Sequence, residues 1–291
     1  MQNTIKSVTV KAPATSANLG GGFDCLGLAL GLYHTVTVER SEVLEISSRE
    51  PAPADKTNLI YKSMNAVFER CGKADMPVKL ISKSDIPQAS GLGSSAACIT
   101  CGVLAANALL GEPMTDAELS ALCTALDGHP DNVMPAINGG VVASVVTDGN
   151  IEFVKCAAPK GLTCVAATPD FPLETKKARA VLPETYSRAD CVYSLSRAVL
   201  AFGAIAVGKL DALKTVDDRL HQPYRIPLVK GYREVERALL DIGALSCCLS
   251  GAGPSVLAFF CSRPALSPRL PIGWTARVLD IDNEGAKVIP N

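Results

Sequence analysis

Residues 86–107 read Ile86-Pro87-Gln88-Ala89-Ser90-Gly91-Leu92-Gly93-Ser94-Ser95-Ala96-Ala97-Cys98-Ile99-Thr100-Cys101-Gly102-Val103-Leu104-Ala105-Ala106-Asn107, a glycine–serine loop running straight into an apolar helix. The first N–H groups of a helix have no partner within it, and the helix dipole favours negative charge there. Gly91 and Gly93 allow close approach of backbone to a phosphate, and Ser94 and Ser95 offer hydroxyls to a phosphate oxygen or to Mg2+. Pro87 restricts the approach to the loop. The same composition also suits a helix cap without a ligand. It is not a P-loop, because no lysine follows the glycines. Gly91 to Ala96 matches a relaxed dinucleotide fingerprint, but that pattern must follow a strand directly. Here the expected strand, residues 78–83, ends well before Gly91 with Pro87 in between.

Working outward, two more glycine-rich segments stand at the ends of expected strands. One is Lys11-Ala12-Pro13-Ala14-Thr15-Ser16-Ala17-Asn18-Leu19-Gly20-Gly21-Gly22-Phe23-Asp24, and the other is Leu249-Ser250-Gly251-Ala252-Gly253-Pro254-Ser255. Each alone reads as a turn; three together suggest one anion site assembled from distant parts of the chain.

These three segments resemble the three motifs of the GHMP small-molecule kinases, which include galactokinase, homoserine kinase, mevalonate kinase and phosphomevalonate kinase. Gly128-His129-Pro130-Asp131-Asn132-Val133, followed by Pro135 and Gly139-Gly140, resembles the homoserine-phosphorylating branch of that family. So do Ala178-Arg179-Ala180-Val181-Leu182-Pro183 and His221-Gln222-Pro223-Tyr224-Arg225. The similarity runs over nearly the whole chain in the family's order. It implies a two-domain α+β fold. Residues 1–158 would form an ATP-binding half like ribosomal protein S5 domain 2, with a left-handed crossover, and residues 159–291 a ferredoxin-like half. The left-handed crossover breaks the usual rule, so periodicity could not foretell it. The activity implied is ATP-dependent transfer of a phosphoryl group to the hydroxyl of L-homoserine with Mg2+, on the route to threonine, by a homodimer.

The resemblance also distributes roles. Pro87, Gln88, Ala89, Ser90, Gly91, Leu92, Gly93, Ser94, Ser95, Ala96 and Ala97 would wrap the phosphates, and Asn58 would border the adenine. Ser95 and Asp127 would hold the metal. Homoserine is a zwitterion with a distant hydroxyl, and a guanidinium is the best fork for its carboxylate. Arg179 and Arg225 fit that role, Asp24 suits the ammonium, and Asn18, His129 and Asn132 would orient the remaining polar groups. Gly253 would let the late loop close in. Asn18, Asp24 and Arg225 form the expected catalytic set.

One departure concerns the metal. Many members of the branch carry glutamate before Gly-His-Pro-Asp-Asn, where this chain has Asp127. One methylene shorter, Asp127 could reach the metal through water, or Glu118 could serve instead. No base is assigned, since a loose phosphoryl-transfer transition state needs little help from one. Asp131 reads as a turn former, His221 as a helix-end residue supporting Arg225, His34 as structural, and Lys11 as a strand-end surface charge. Two rival readings stay open: a sister kinase for mevalonate, shikimate or another small alcohol, and a non-catalytic sensor of nucleotide or amino acid.

With 28 Lys and Arg against 29 Asp and Glu in 291 residues, nothing global points to nucleic acid or to an anionic membrane. Residues 1–11 lack an apolar core behind a basic start, and no apolar run reaches the ~18 residues of a spanning helix without charge or turn residues. Eleven cysteines, an odd number among apolar neighbours, suit reduced core residues in the cytoplasm. Cys98 and Cys101, despite their CxxC spacing, read as helix packing, and Cys247-Cys248 as strand residues.

Alternation predicts strands at 7–10, 33–39 and 43–46, and a helix over 58–71 capped by Thr57 and stopped at Gly72. Thr115-Asp116-Ala117-Glu118 is a capping-box pattern for a helix to about 126. Gly128 ends it, and His129-Pro130 opens a loop. A hairpin is expected from 140–147 and 151–156 around Asp148-Gly149-Asn150. After a break at 157–161 come a strand at 162–167 and helices around 175–182, 189–207 and 232–242. Strands near 244–249 and 255–260 follow, and 275–281 returns as an edge strand.

Overall fold

The computed structural model describes residues 5–265 and 268–291. Residues 1–4, where the segment read for a leader begins, lie outside the described residues. The elements in chain order are β1 (Ser7–Ala17), β2 (Leu26–Arg40), β3 (Glu45–Ser48), α1 (Leu59–Arg70), β4 (Val78–Ser84), α2 (Ser94–Leu109), α3 (Asp116–Asp127), α4 (Pro130–Asn138), β5 (Val141–Thr147) and β6 (Asn150–Cys156). There follow β7 (Thr163–Pro169), α5 (Thr175–Ala180), α6 (Arg188–Ala206), a 3-10 turn (Leu210–Thr215), α7 (Gln222–Arg225), a second 3-10 turn (Ile226–Leu228), α8 (Tyr232–Asp241), β8 (Ser246–Leu249), β9 (Val256–Phe260), β10 (Trp274–Leu279) and β11 (Lys287–Pro290).

Two sheets carry the molecule. The first is ordered β11-β1-β2-β4-β3, with β5 also paired to β2 and β6 to β5. All its pairings are antiparallel except β3 with β4. The second runs β10-β7-β9-β8, all antiparallel, which is the strand order of a ferredoxin-like unit. β10 is its edge strand, as alternation predicts. The C-terminal strand β11 returns across the expected 158/159 division to pair with β1 of the first sheet.

The core explains the element boundaries. β1 continues past the expected end at Val10 as far as Ala17, because Pro13 falls at a register shift where the missing N–H is tolerated. This carries Thr15 and Ala17 to the same end of the sheet as the 18–25 turn. Helix α2 is apolar on every side because it is enclosed, packing on α1, β1 and α3. At its crossing with α1, a Cβ on Gly102 would lie 2.4 Å from the Ile60 carbonyl oxygen, so only glycine permits the contact. Cys101 is fully buried in this core and Cys98 half-buried, so the CxxC pair serves packing.

Two local expectations are corrected. Asn58, not Thr57, caps α1, its Oδ1 accepting from the N–H of Ile60 at 3.0 Å, while Thr57 bonds Asp55 instead. The Gly-His-Pro-Asp-Asn segment is not a loop but the start of α4. Gly128 in the left-handed region closes α3, and Pro130, whose missing N–H costs nothing in a first turn, opens α4. The capping box is present as expected, with Thr115 and Glu118 bonding each other's backbone N–H.

Candidate active site

The chain ends of β1, α2, α4, α5, α7 and the 249–255 loop converge on a cavity of about 310 Å3. One end of it is backbone. Gly93 stands at the start of α2 with φ +67°, and no side chain caps the helix. The N-terminal donors at Ser94, Ser95 and Ala96 therefore face the cavity together with Ala89, Ser90 and Gly91. The loop glycines serve close packing as well as access. A Cβ on Gly93 would meet Thr15 Oγ1 at 1.9 Å, and one on Gly91 would meet the Ser250 carbonyl oxygen at 2.4 Å. Ser90 secures the loop by donating to the Pro87 carbonyl at 2.7 Å.

Beside this end stand Ser95 and Asp127; burial pushes the Asp127 pKa up to about 6, and the nearby Ser95 hydroxyl works against that rise. No cluster of three or more His, Cys, Asp or Glu suited to a metal occurs among the described residues. One carboxylate and one hydroxyl are hard oxygen donors, and Mg2+ commonly takes only one or two protein groups, completing its shell from phosphate and water. Ser95 and Asp127 thus fit that ion. Glu118 is engaged in the α3 capping box instead.

The opposite end is made of charged side chains. Arg179, on α5, donates to Asp24 through both terminal nitrogens, at 3.0 and 2.8 Å. Arg225, 1% exposed, donates from Nε to the Ala178 carbonyl at 3.2 Å and lies 3.4 Å by Nη1 from that of Gly251. Phe23 sits beneath both guanidinium groups, 5.4 Å from Arg179 and 5.2 Å from Arg225. Burial lowers the pKa of Arg225, with Arg179 adding to the effect, whereas the hydrogen bonds it donates to Asp24 raise that of Arg179. His129 is also shifted down, first by burial.

Asn18 and Asn132 both hydrogen-bond within the protein. Asn18 adopts φ +71° and joins two loops, accepting from the Asp24 N–H at 3.0 Å and donating to the Gly251 carbonyl at 2.8 Å. Asn132 Oδ1 accepts from Thr15 Oγ1 at 2.8 Å, and its Nδ2 lies 3.4 Å from Asp131 Oδ1.

Asp131 departs most from its reading as a turn former. It lies in the first turn of α4, only 5% exposed, and lines the cavity. Burial pushes its pKa up to about 7, with Asp24 and Asp127 contributing further and Arg179 opposing. Its signal was available, since Pro at a first helical position places the next residue inside the helix. Thr15 and Thr175 had no such signal.

The cavity brings together Asn18, Asp24, Ala89, Ser90, Gly91, Gly93, Ser94, Ser95, Ala96, Asp127, His129, Asn132, Arg179 and Arg225. Gly253 stands behind it, donating to the Ser250 carbonyl at 2.9 Å, and Gly251 and Ala252 face the space instead. Leu92 and Ala97 are core residues beneath the loop. A second cavity of about 340 Å3 adjoins the first through Ala89, Ser94 and Ser95, and Asn58, Gln88, Pro51, Leu59 and Ile60 are among its walls. Asn58 meets it while capping α1. Pro87 borders neither cavity.

A cleft pairing an uncapped helix N-terminus with a zwitterion-shaped set of charges defines a small-molecule phosphotransferase. Residues 58–140 match the GHMP kinases N terminal domain and residues 197–267 match the GHMP kinases C terminal domain. The chain belongs to the GHMP kinase family and has its two-domain α+β fold. Full-length relatives name the branch. It is 41% identical to a homoserine kinase of Moorella thermoacetica, over 96% of this chain and 99% of the relative. It is 42% identical to one of Deinococcus radiodurans, over 90% and 87%. The crystal structure of homoserine kinase from Cytophaga hutchinsonii superposes with a TM-score of 0.86 at 28% identity, covering 99% of both chains. The crystal structure of L. major mevalonate kinase in complex with R-mevalonate shares the fold at TM-score 0.75 and 16% identity over 98% of this chain and 100% of that one.

Proposed function

We propose that this chain is a homoserine kinase that transfers the γ-phosphoryl group of ATP to the hydroxyl of L-homoserine, giving O-phospho-L-homoserine and ADP on the route to threonine. The observation that carries this reading is the bidentate Arg179–Asp24 pair in one cavity with the open N-terminus of α2. The triphosphate would lie along the N–H groups of residues 90–96, with the base in the adjoining cavity between Pro51 and Ile60. Ser95 and Asp127 would hold Mg2+, which when bound neutralises charge on the transferring phosphoryl group.

The amino-acid end selects by exchange. With no substrate, Arg179 and Asp24 neutralise each other. A zwitterion replaces that pair one for one, its carboxylate taking Arg179 and Arg225 and its ammonium taking Asp24. A hydroxy acid such as mevalonate would satisfy the arginines and leave Asp24 unpaired, which is costly in a half-buried site. His129 and Asn132 then orient the hydroxyl toward the α2 end. Alignment and fixed dipoles supply the catalysis, as a loose transition state requires.

Asp131 favours a second account of the proton. A carboxylate with pKa pushed up to about 7 in the cavity is suited to accept one from the hydroxyl. The pH–rate profile separates the two. Alignment alone leaves kcat without an acidic limb, and Asp131 as base gives a limb near its pKa that disappears, with most of the rate, in Asp131→Asn.

The homodimer and the cytoplasmic location are part of the same proposal. α6 presents Val192, Leu195 and Val199 at 59%, 63% and 66% exposure, an apolar face that a second subunit would cover. By length and composition alone α6 is also apolar enough to cross a membrane, though Arg197 lies midway along it. Light scattering of the purified protein reads the mass.

The reaction itself is tested by ADP release with Mg-ATP and L-homoserine, mevalonate, shikimate or L-threonine. Turnover with homoserine alone is expected. Turnover with another alcohol instead moves the chain to a sister kinase, and ATP binding without turnover moves it to a sensor.

A further inference from the structure

Arg225 has a third neighbour besides the two carbonyls, the imidazole of His221. Asp218 fixes that residue's backbone. Its carboxylate accepts from Ser194 Oγ at 2.9 Å and from the N–H groups of Leu220, His221 and Gln222 at 2.8, 2.7 and 2.7 Å. The ring is 0% exposed and does not line the main cavity. Its Nε2 lies 2.9 Å from the Gly20 carbonyl oxygen and its Nδ1 3.3 Å from Arg225 Nη1. Its face stacks on Phe23, with centroids 5.2 Å apart at 22°.

A carbonyl only accepts and a guanidinium only donates. Both contacts are hydrogen bonds in one state alone, the neutral ring protonated at Nε2. Burial lowers the ring's pKa and Arg225 adds to this, against Asp218, the Gly20 bond and Asp24, which favour the cation. Gly20 and Phe23 belong to the turn that carries Asp24, and Arg225 belongs to α7. The ring therefore spans the gap between the segment expected to take the ammonium and one expected to take the carboxylate.

We propose that His221 is a positioning residue for the amino-acid end of the substrate: as a neutral Nε2–H imidazole it sets the distance between Arg225 and the Asp24 turn, so that both poles of one α-amino acid are met at once. It touches no substrate and acts through Arg225. The proposal rests on the homoserine reading given above.

Two amide variants divide the ring's bonds. His221→Gln can keep a donor for Gly20 but loses the acceptor for Arg225, whereas His221→Asn places an oxygen near the Nδ1 position and loses the bond to Gly20. The expected result is a homoserine KM raised about tenfold or more in H221Q, the worth of one charged hydrogen bond. In H221N, which cuts the ring's link to the Asp24 turn, it also rises, by about threefold or more, and in both kcat and the ATP KM change less than about twofold. A homoserine KM unchanged in either variant, or losses in kcat and ATP KM that track a fall in Tm, overturn the proposal.

The unaltered protein supplies a second test that needs neither variant to fold. It has three histidines, few enough to assign, and long-range 15N–1H correlation reports each tautomer. His221 is expected in the Nε2–H form across neutral pH with and without homoserine; an Nδ1–H form or an imidazolium overturns the proposal. Absence of homoserine turnover by the parent would instead defeat the functional reading, and the tautomer would still be decided.

Discussion

At the α2 end of the cavity the groups facing the ligand space are backbone donors and the Ser94 and Ser95 hydroxyls, while at the α5–α7 end they are Asp24, Arg179, Arg225, His129 and Asp131. The first end comes from one continuous segment, so its geometry follows from a single loop entering a helix. The second is assembled from the 18–24 turn and three short helices far apart in the chain, and two of its charges, Arg179 and Asp24, are paired with each other. A phosphate seat can rely on main-chain dipoles because every triphosphate offers the same oxygens. A seat for one amino acid needs side chains whose signs and spacing reject its neighbours.

The severest break falls on the backbone end. Gly93→Ala puts a Cβ 1.9 Å from Thr15 Oγ1 at φ +67°, so the loop must shift. We expect kcat/KM for ATP to fall at least about 100-fold, as misplacement of about 1 Å costs. Steady-state kinetics with varied ATP checks this, and an unchanged ATP KM would show that the loop does not seat the nucleotide.

At the other end, Asp24→Asn removes the partner of Arg179 and the ammonium acceptor. The homoserine KM should rise about 10–100-fold, the value of a hydrogen bond to a charged group, with the ATP KM nearly unchanged. Parallel losses for both substrates would mean the two ends are not separable.

A smaller effect concerns pH. Burial pushes the Asp131 carboxyl up to about 7 from its ordinary 3.8, so the folded state holds the extra proton between those values. The state binding more protons is favoured as pH falls; stability is therefore lost as pH rises from about 4 through about 7. The ligand-free Tm should be higher at pH 6 than at pH 8, and Asp131→Asn should flatten that difference. Asp127, pushed up to about 6, contributes with the same sign.

The smallest change is outside both ends. Thr115→Ala removes the α3 capping box and should cost about 1 kcal/mol in denaturant unfolding while leaving both KM values alone. A kinetic effect from so remote a cap would show that α3 transmits strain to Asp127.

The difference between the two ends also governs what could be read from the chain. The residue 91–97 loop, the capping box at Thr115, the 140–156 hairpin and the edge strand near 275 are local patterns, and they stand where periodicity and turn chemistry put them. Asn58 displaced Thr57 as the α1 cap because both are good capping residues and one position separates them. Asp131 reads as a turn former because Asp and Asn beside a proline suit turns, and only its helical setting and burial turn it into a raised carboxylate near Asp24 and Asp127.

Local sequence was sufficient for the open helix terminus of α2, because the hydrogen-bonding needs of a helix end are settled within a few residues. The family resemblance, rather than local pattern, singled out Asp24, Arg179 and Arg225, and all three line the one cavity. Tertiary structure decided which of those charges face each other, that Asn18 is spent joining two loops, and that Gly251 rather than Gly253 meets the cavity. Pairing, burial and pKa depend on what lies within a few ångströms in space, and residues 24, 179 and 225 become neighbours only when the two sheets and the helices between them have packed.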